Sequence, residues 1–179
     1  MGAACDLNVR KVLSKVLSKG QNDMTSIFKI APIFAVFIAA PALSCPQGAT
    51  PLVSCSLKSG SAYLETCRLG NFATYAYGKT GQRPDLALAR PVQEVEMTPW
   101  PGVGRSIWED FQFRNGDVSY RVFYSIDRFS EGEPALTAGV MVEKGEETLA
   151  ELDCDPGTID AGYPLPLWDA QELAAQARN

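Results

Sequence analysis

Residues 106–126 read SIWEDFQFR-NG-DVSYRVFYSI, two alternating runs joined by Asn115-Gly116. Asn-Gly between such runs is the strongest short hairpin signal, because a type I′ turn needs positive φ at both central residues. A two-residue turn there predicts that Phe113 faces Val118, Phe111 faces Tyr120 and Ile107 faces Tyr124, all on one apolar side. The other side then pairs Arg114 with Asp117, Asp110 with Arg121 and Trp108 with Phe123. Alternation of this kind gives each strand one core face and one solvent face.

Outward from this hairpin, short alternating runs separated by Gly, Pro and Asn turns predict strands at 52–58, 61–69, 72–77, 85–90, 92–97, 105–114, 117–127, 138–144 and 147–154. A second hairpin is expected to turn at Lys144-Gly145. The fold class that follows is all-β: an antiparallel meander closing into a small barrel or sandwich over residues 45–162. A tail over 163–179 begins with Tyr163-Pro164-Leu165-Pro166 and predicts a short amphipathic helix, Trp168 to Arg178, with Trp168 and Leu173 on or near one face.

Upstream, residues 24–44 (MTSIFKIAPIFAVFIAAPALS) have the composition of a secretory signal. Lys29 is the positive n-region, Ile30 to Ala40 an uncharged apolar stretch, and Ala40-Pro41-Ala42 and Ala42-Leu43-Ser44 are small-x-small cleavage sites. The stretch is short for a transmembrane helix, which needs about 20 apolar residues. Met24 then reads as the start, with 1–23 a mis-called upstream extension; the alternative is a long basic n-region carrying Arg10, Lys11, Lys15 and Lys19. The expected localisation is periplasmic or secreted, with membrane contact only through the signal or through lipidation of Cys45, which directly follows it.

An exported chain changes the meaning of its cysteines. Cys45, Cys55, Cys67 and Cys154 follow the signal, and an even count predicts two disulfides with three possible connectivities. We favour Cys55–Cys154, tying an early strand to the last one, with Cys45–Cys67; pairing of Cys55 with Cys67 stays open. Metal ligation has little to draw on, since the chain has no histidine and no C-x-x-C.

Five of the 16 Lys and Arg and two of the 21 Asp and Glu precede residue 45, which leaves 11 against 19 and a net charge of −8. Such a surface repels phosphate backbones, so nucleic acid is not an expected partner, while a basic protein is compatible. The absence of histidine removes Ser-His-Asp and Cys-His catalysis and the commonest metal ligand. Paired carboxylates remain as acid and base, with Glu94 and Glu96 on one expected strand face and Glu109 on another. Asp153, Asp155 and Asp160 in DCDPGTID offer oxygen atoms to calcium but lack the spacing of an EF-hand, so a plain turn is the simpler reading. No catalytic residue, cofactor or metal is assigned.

Thr98-Pro99-Trp100-Pro101-Gly102-Val103-Gly104-Arg105 is the most distinctive loop. Two prolines stiffen the backbone around Trp100, and Trp with Arg is a typical anchor pair of binding sites. Either Trp100 plugs one end of the β-domain, or Trp100 and Arg105 form a binding loop.

Two resemblances add expectations. TPWPGVGRSIWE, FRNGDVSY, SIDR and LDCDPGT resemble a group of small exported bacterial proteins of unassigned activity; the match covers residues 53–160 and implies a signal peptide and a disulfide-stabilised β-domain. Ser59-Gly60-Ser61-Ala62-Tyr63 resembles the S-G-x-x-Y pattern of the periplasmic and membrane-bound inhibitors of c-type lysozyme, which are small eight-stranded barrels. That resemblance implies that Ser59 enters the lysozyme cleft, with Tyr63 completing the motif and Lys79 of YGKTG assisting. The reading that results is an exported, non-catalytic β-domain acting by binding. Its alternatives are an inhibitor of a secreted enzyme such as c-type lysozyme and, behind that, a carboxylate-dependent enzyme.

Overall fold

The computed structural model describes residues 45–132 and 135–177, so the expected signal at 24–44, the segment 1–23 and the last residues of the tail lie outside the described residues. The chain begins with strands β1 (Thr50–Leu57), β2 (Ala62–Leu69), β3 (Phe72–Lys79) and β4 (Leu86–Pro91). A 3-10 turn, Val92–Glu94, leads to β5 (Glu96–Thr98), β6 (Ser106–Asn115), β7 (Val118–Asp127), β8 (Leu136–Lys144) and β9 (Glu147–Asp153). A short β10 (Asp160–Ala161) and helix α1 (Pro166–Gln176) complete the fold. Two five-stranded antiparallel sheets result, ordered β10-β1-β2-β3-β4 and β5-β6-β7-β8-β9. The predominantly antiparallel β architecture with one C-terminal helix is thus as the sequence predicts.

Both sheets feed one core. Inward-facing Leu52, Leu64, Ala73 and Tyr75 of the first sheet join Phe111, Phe113, Val122, Tyr124 and Val140 of the second. Tyr75 is the clearest cross-sheet contact, its ring 5.7 Å from Phe113 and 5.4 Å from Tyr120. A bulge in β1 between Pro51 and Ser54 is filled by buried Thr66, whose hydroxyl accepts from the Val53 amide at 2.9 Å and donates to its carbonyl at 2.7 Å. That satisfies backbone groups the ladder leaves free. Gly139 is required by packing: a Cβ there would meet the Leu152 carbonyl oxygen at 2.5 Å and the Phe123 ring at 2.8 Å.

The disulfides are Cys45–Cys67 and Cys55–Cys154, with Cα–Cα distances of 5.8 and 5.7 Å. Disulfides persist in oxidising compartments, so this covalent framework points to one. A sulfur bonded to another sulfur has no valence left for a lipid thioether, so S-lipidation of Cys45 does not fit this form.

The expected hairpin register is shifted by two residues. Asn115 pairs with Val118, Phe113 with Tyr120 and Phe111 with Val122, so the turn residues are Gly116 and Asp117. Only Gly116, at φ +65°, is left-handed, whereas a type I′ turn requires two such residues. The same displacement occurs at Lys144-Gly145, where Lys144 pairs with Glu147 and Gly145 opens the turn at φ +61°. A two-residue shift preserves the faces, so the apolar side is as expected and Asp110 still reaches Arg121, diagonally, at 3.0 Å.

Two other expectations are corrected. The strand expected at 92–97 is a 3-10 turn followed by a three-residue strand, so Glu94 and Glu96 share no strand face. Helix α1 starts at Pro166 and buries Leu167 and Ala170, while Leu173 is 66% exposed and Trp168 faces outward. Residues 167, 170 and 174 recur at helical spacing, which Trp168 and Leu173, five apart, do not. Through Leu165 and Leu167 the tail belongs to the core of the β-domain.

Candidate functional site: the loop-bearing end

Strand direction sorts the loops. Antiparallel alternation sorts the connections within each sheet. Between the sheets, Cys154 lies against Leu57 at the end of β1 while its amide donates to the Ala138 carbonyl near the start of β8, which puts the connections at 58–61, 80–85, 99–105 and 128–132 at one end. The two-residue turns opened by Gly70, Gly116 and Gly145 lie at the other. Ser59, Lys79, Trp100 and Arg105 therefore gather at a single end, although they are spread over almost fifty residues of sequence.

At that end the β1–β2 connection is the most constrained. Lys58, Ser59 and Gly60 have consecutive φ values of +55°, +56° and +81°. Left-handed backbone is costly for residues bearing a Cβ and persists only where surroundings enforce it. Enforcement comes from Asp155, whose carboxylate accepts from the Ser59 amide at 2.9 Å and the Gly60 amide at 2.7 Å. On the other flank Thr80 donates its hydroxyl to the Gly60 carbonyl at 2.7 Å and its amide to the Ser61 carbonyl at 3.1 Å. Lys79 ends β3 next to Thr80 and pairs with Ala62, so it adjoins the turn that carries Ser59. Ser59 and Lys79 are both exposed, and among the described residues Lys79 enters no ion pair. Lys58 reaches the Tyr77 hydroxyl at 3.1 Å. Tyr63 is not part of this group: it alternates with buried Ala62 and Leu64 and so faces outward, where burial and the nearby Glu65 and Asp85 raise its hydroxyl above the ordinary value.

Trp100 neither plugs the core nor stands free. Its half-buried ring meets Tyr163 edge-on at 5.9 Å, the Arg128 guanidinium lies 5.1 Å over it, and the indole N–H donates to the Val103 carbonyl at 3.0 Å. Arg128 also lies over Phe129 and donates to the carbonyls of Gly104 and Arg105. Arg105 is committed to Asp127, with Nη2–Oδ2 at 2.7 Å. That pair and the Phe129 amide hold the Asp127 carboxyl below its usual range. The loop is thus internally braced, with Val103 and Phe129 as its exposed apolar surface. Arg128, Phe129 and Tyr163 escaped the sequence reading because their partners come from distant segments.

The carboxylates have structural duties. Glu109 is 2% exposed, and its Oε2 accepts from the Tyr124 hydroxyl at 2.6 Å and the Leu165 amide at 2.9 Å. It docks the tail onto β6, and burial followed by this hydrogen bond pushes the Tyr124 hydroxyl well above its ordinary range. Asp153 lies opposite Gly139 and Asp160 opposite Ser54, while Asp155 uses both carboxylate oxygens on backbone amides. On the outer face of the second sheet a polar depression of about 300 Å³ is lined by Glu96, Gln112, Arg114, Arg121 and Glu143. Its charges pair among themselves: Arg114 with Glu96 at 2.8 Å and Arg121 with Glu143 at 3.3 Å.

Compared with known proteins, the chain matches no family model, no curated protein and no solved structure.

Proposed function

We propose that this chain is exported to the periplasm or the exterior by the signal at 24–44, and that residues 45–179 act there as a non-catalytic domain that binds a partner through its loop-bearing end. The supporting observation is the Lys58–Gly60 turn, locked into a left-handed conformation with Ser59 exposed and the turn hydrogen-bonded through Gly60 to Thr80, the residue after Lys79. A loop ordered before contact loses less entropy on binding, which is how rigid scaffolds present recognition loops. The Trp100 loop is a weaker candidate, since Trp100 and Arg105 are occupied by intramolecular partners.

A second reading makes the partner concrete: an inhibitor of c-type lysozyme. It is favoured by the adjoining placement of Ser59 and Lys79, the two positions implied by the S-G-x-x-Y resemblance. The test is binding of the disulfide-bonded protein to c-type lysozyme at physiological salt, beside Ser59→Ala, Lys79→Ala and Trp100→Ala. Salt is essential because a net charge of −8 draws basic proteins non-specifically at low ionic strength. Tight binding abolished by Ser59→Ala is the expected result. Weak binding indifferent to Ser59 removes the lysozyme reading, and binding lost only with Trp100→Ala moves the working surface to the 99–105 loop.

A further inference from the structure

The β1–β2 turn is held by a residue 95 positions downstream of Gly60. Asp155 follows Cys154, which is bonded to Cys55 near the end of β1. Its amide donates to the Ser56 carbonyl at 2.8 Å, and its own carbonyl accepts from the Thr158 hydroxyl at 2.7 Å. The Thr158 hydroxyl in turn accepts from the Ser56 amide at 3.1 Å. The Asp155 carboxylate is therefore fixed on a braced platform before it grips the amides of Ser59 and Gly60. Hydrogen bonds from backbone amides to a carboxylate are charge-assisted and stronger than neutral ones. They offset the unfavourable left-handed geometry of Lys58 and Ser59.

We propose that Asp155 is the positioning residue of the binding surface: acting only through the Ser59 and Gly60 amides, it sets the conformation in which the Ser59 side chain is presented. This rests on the reading of that end as the surface that engages lysozyme. Asp155 itself contacts no partner. Without it, the turn relaxes among right-handed and extended conformers, and binding must reorder it.

The experiment compares the disulfide-bonded protein with Ser59→Ala, Asp155→Ala and Asp155→Asn, reading affinity for c-type lysozyme alongside amide hydrogen exchange at Ser59, Gly60 and, as a core reference, Leu64. Asp155→Ala is expected to weaken binding about tenfold or more through lost pre-organisation. Exchange at Ser59 and Gly60 should accelerate while Leu64 stays protected. Asp155→Asn keeps one carbonyl acceptor and no charge, and should fall between the wild type and the alanine variant. If the wild type binds and Ser59→Ala abolishes binding, yet both Asp155 variants bind as tightly as the wild type, the positioning role is wrong and the lysozyme reading stands. Wild-type protein that ignores lysozyme overturns the reading itself, and this role with it. If Asp155→Ala also loses protection at Leu64, Asp155→Asn decides: normal affinity with intact Leu64 overturns the role, and intermediate affinity with faster exchange confined to Ser59 and Gly60 upholds it.

Discussion

Glu109 joins β6, β7 and the tail through one carboxylate. In the fold it is a buried acceptor with no cation beside it among the described ion pairs, shared by the Tyr124 hydroxyl and the Leu165 amide. Glu109→Ala should strand both donors, at a cost of about 1–3 kcal/mol for each. Glu109→Gln retains an acceptor oxygen and should cost less, and urea midpoints of the two variants check the order. The inward positions of Phe111, Phe113 and Tyr124 were legible because alternation alone assigns them. Glu109 shares their face, and nothing in its neighbourhood of sequence signals that a segment more than fifty residues later supplies its partner.

Among the elements, the hairpins were legible in existence and face but not in register. Asn-Gly admits a turn centred on either Asn115-Gly116 or Gly116-Asp117, and the ladder chooses the one that lets Phe113 meet Tyr120 and Phe111 meet Val122. The helix was harder, since its apolar residues do not form one clean stripe and burial depends on what it packs against. It lies on the 3-10 turn, where Gln171 donates to the carbonyls of Val92 and Val95 at 2.8 and 2.6 Å. Leu167→Ala should therefore cost about 2–5 kcal/mol, as buried leucines do. Leu173→Ala should stay within about 0.5 kcal/mol. Thermal unfolding of the two variants separates them, and equal effects would contradict the observed face.

For the whole molecule, the ionisable groups predict a pH profile with unequal shoulders. Hydrogen bonds from Arg114 lower the Glu96 carboxyl, and those from Arg105 lower Asp127. A depressed folded value gives stability that is present above the unfolded value of about 4 and lost as pH falls through the folded one. Both groups are exposed, so the acid shoulder is shallow. Burial raises the hydroxyls of Tyr75 and Tyr124. A raised folded value gives stability that is complete below the unfolded tyrosine value of about 10 and declines above it. Denaturation midpoints at pH 3, 7 and 10.5 should show little change on the acid side and a clear loss on the alkaline side. At this scale the β class and the favoured cysteine pairing were legible, whereas the clustering of loops at one end emerged only from strand direction. The Asp155 clamp was not, because it joins residues 95 positions apart.

The cysteine order carries a consequence for biogenesis. The bridges interleave, so that Cys55 lies inside the Cys45–Cys67 loop while its own partner is 99 residues downstream. In a chain that enters an oxidising compartment N-terminus first, Cys45, Cys55 and Cys67 arrive before Cys154. Coupling of neighbours in order of appearance would join Cys45 to Cys55, a pairing the finished molecule lacks. Maturation must then either leave the Cys55 thiol reduced until synthesis ends or exchange a provisional bridge for the native one. Since the native bridge abuts Asp155, the turn that carries Ser59 is clamped only once Cys154 has arrived.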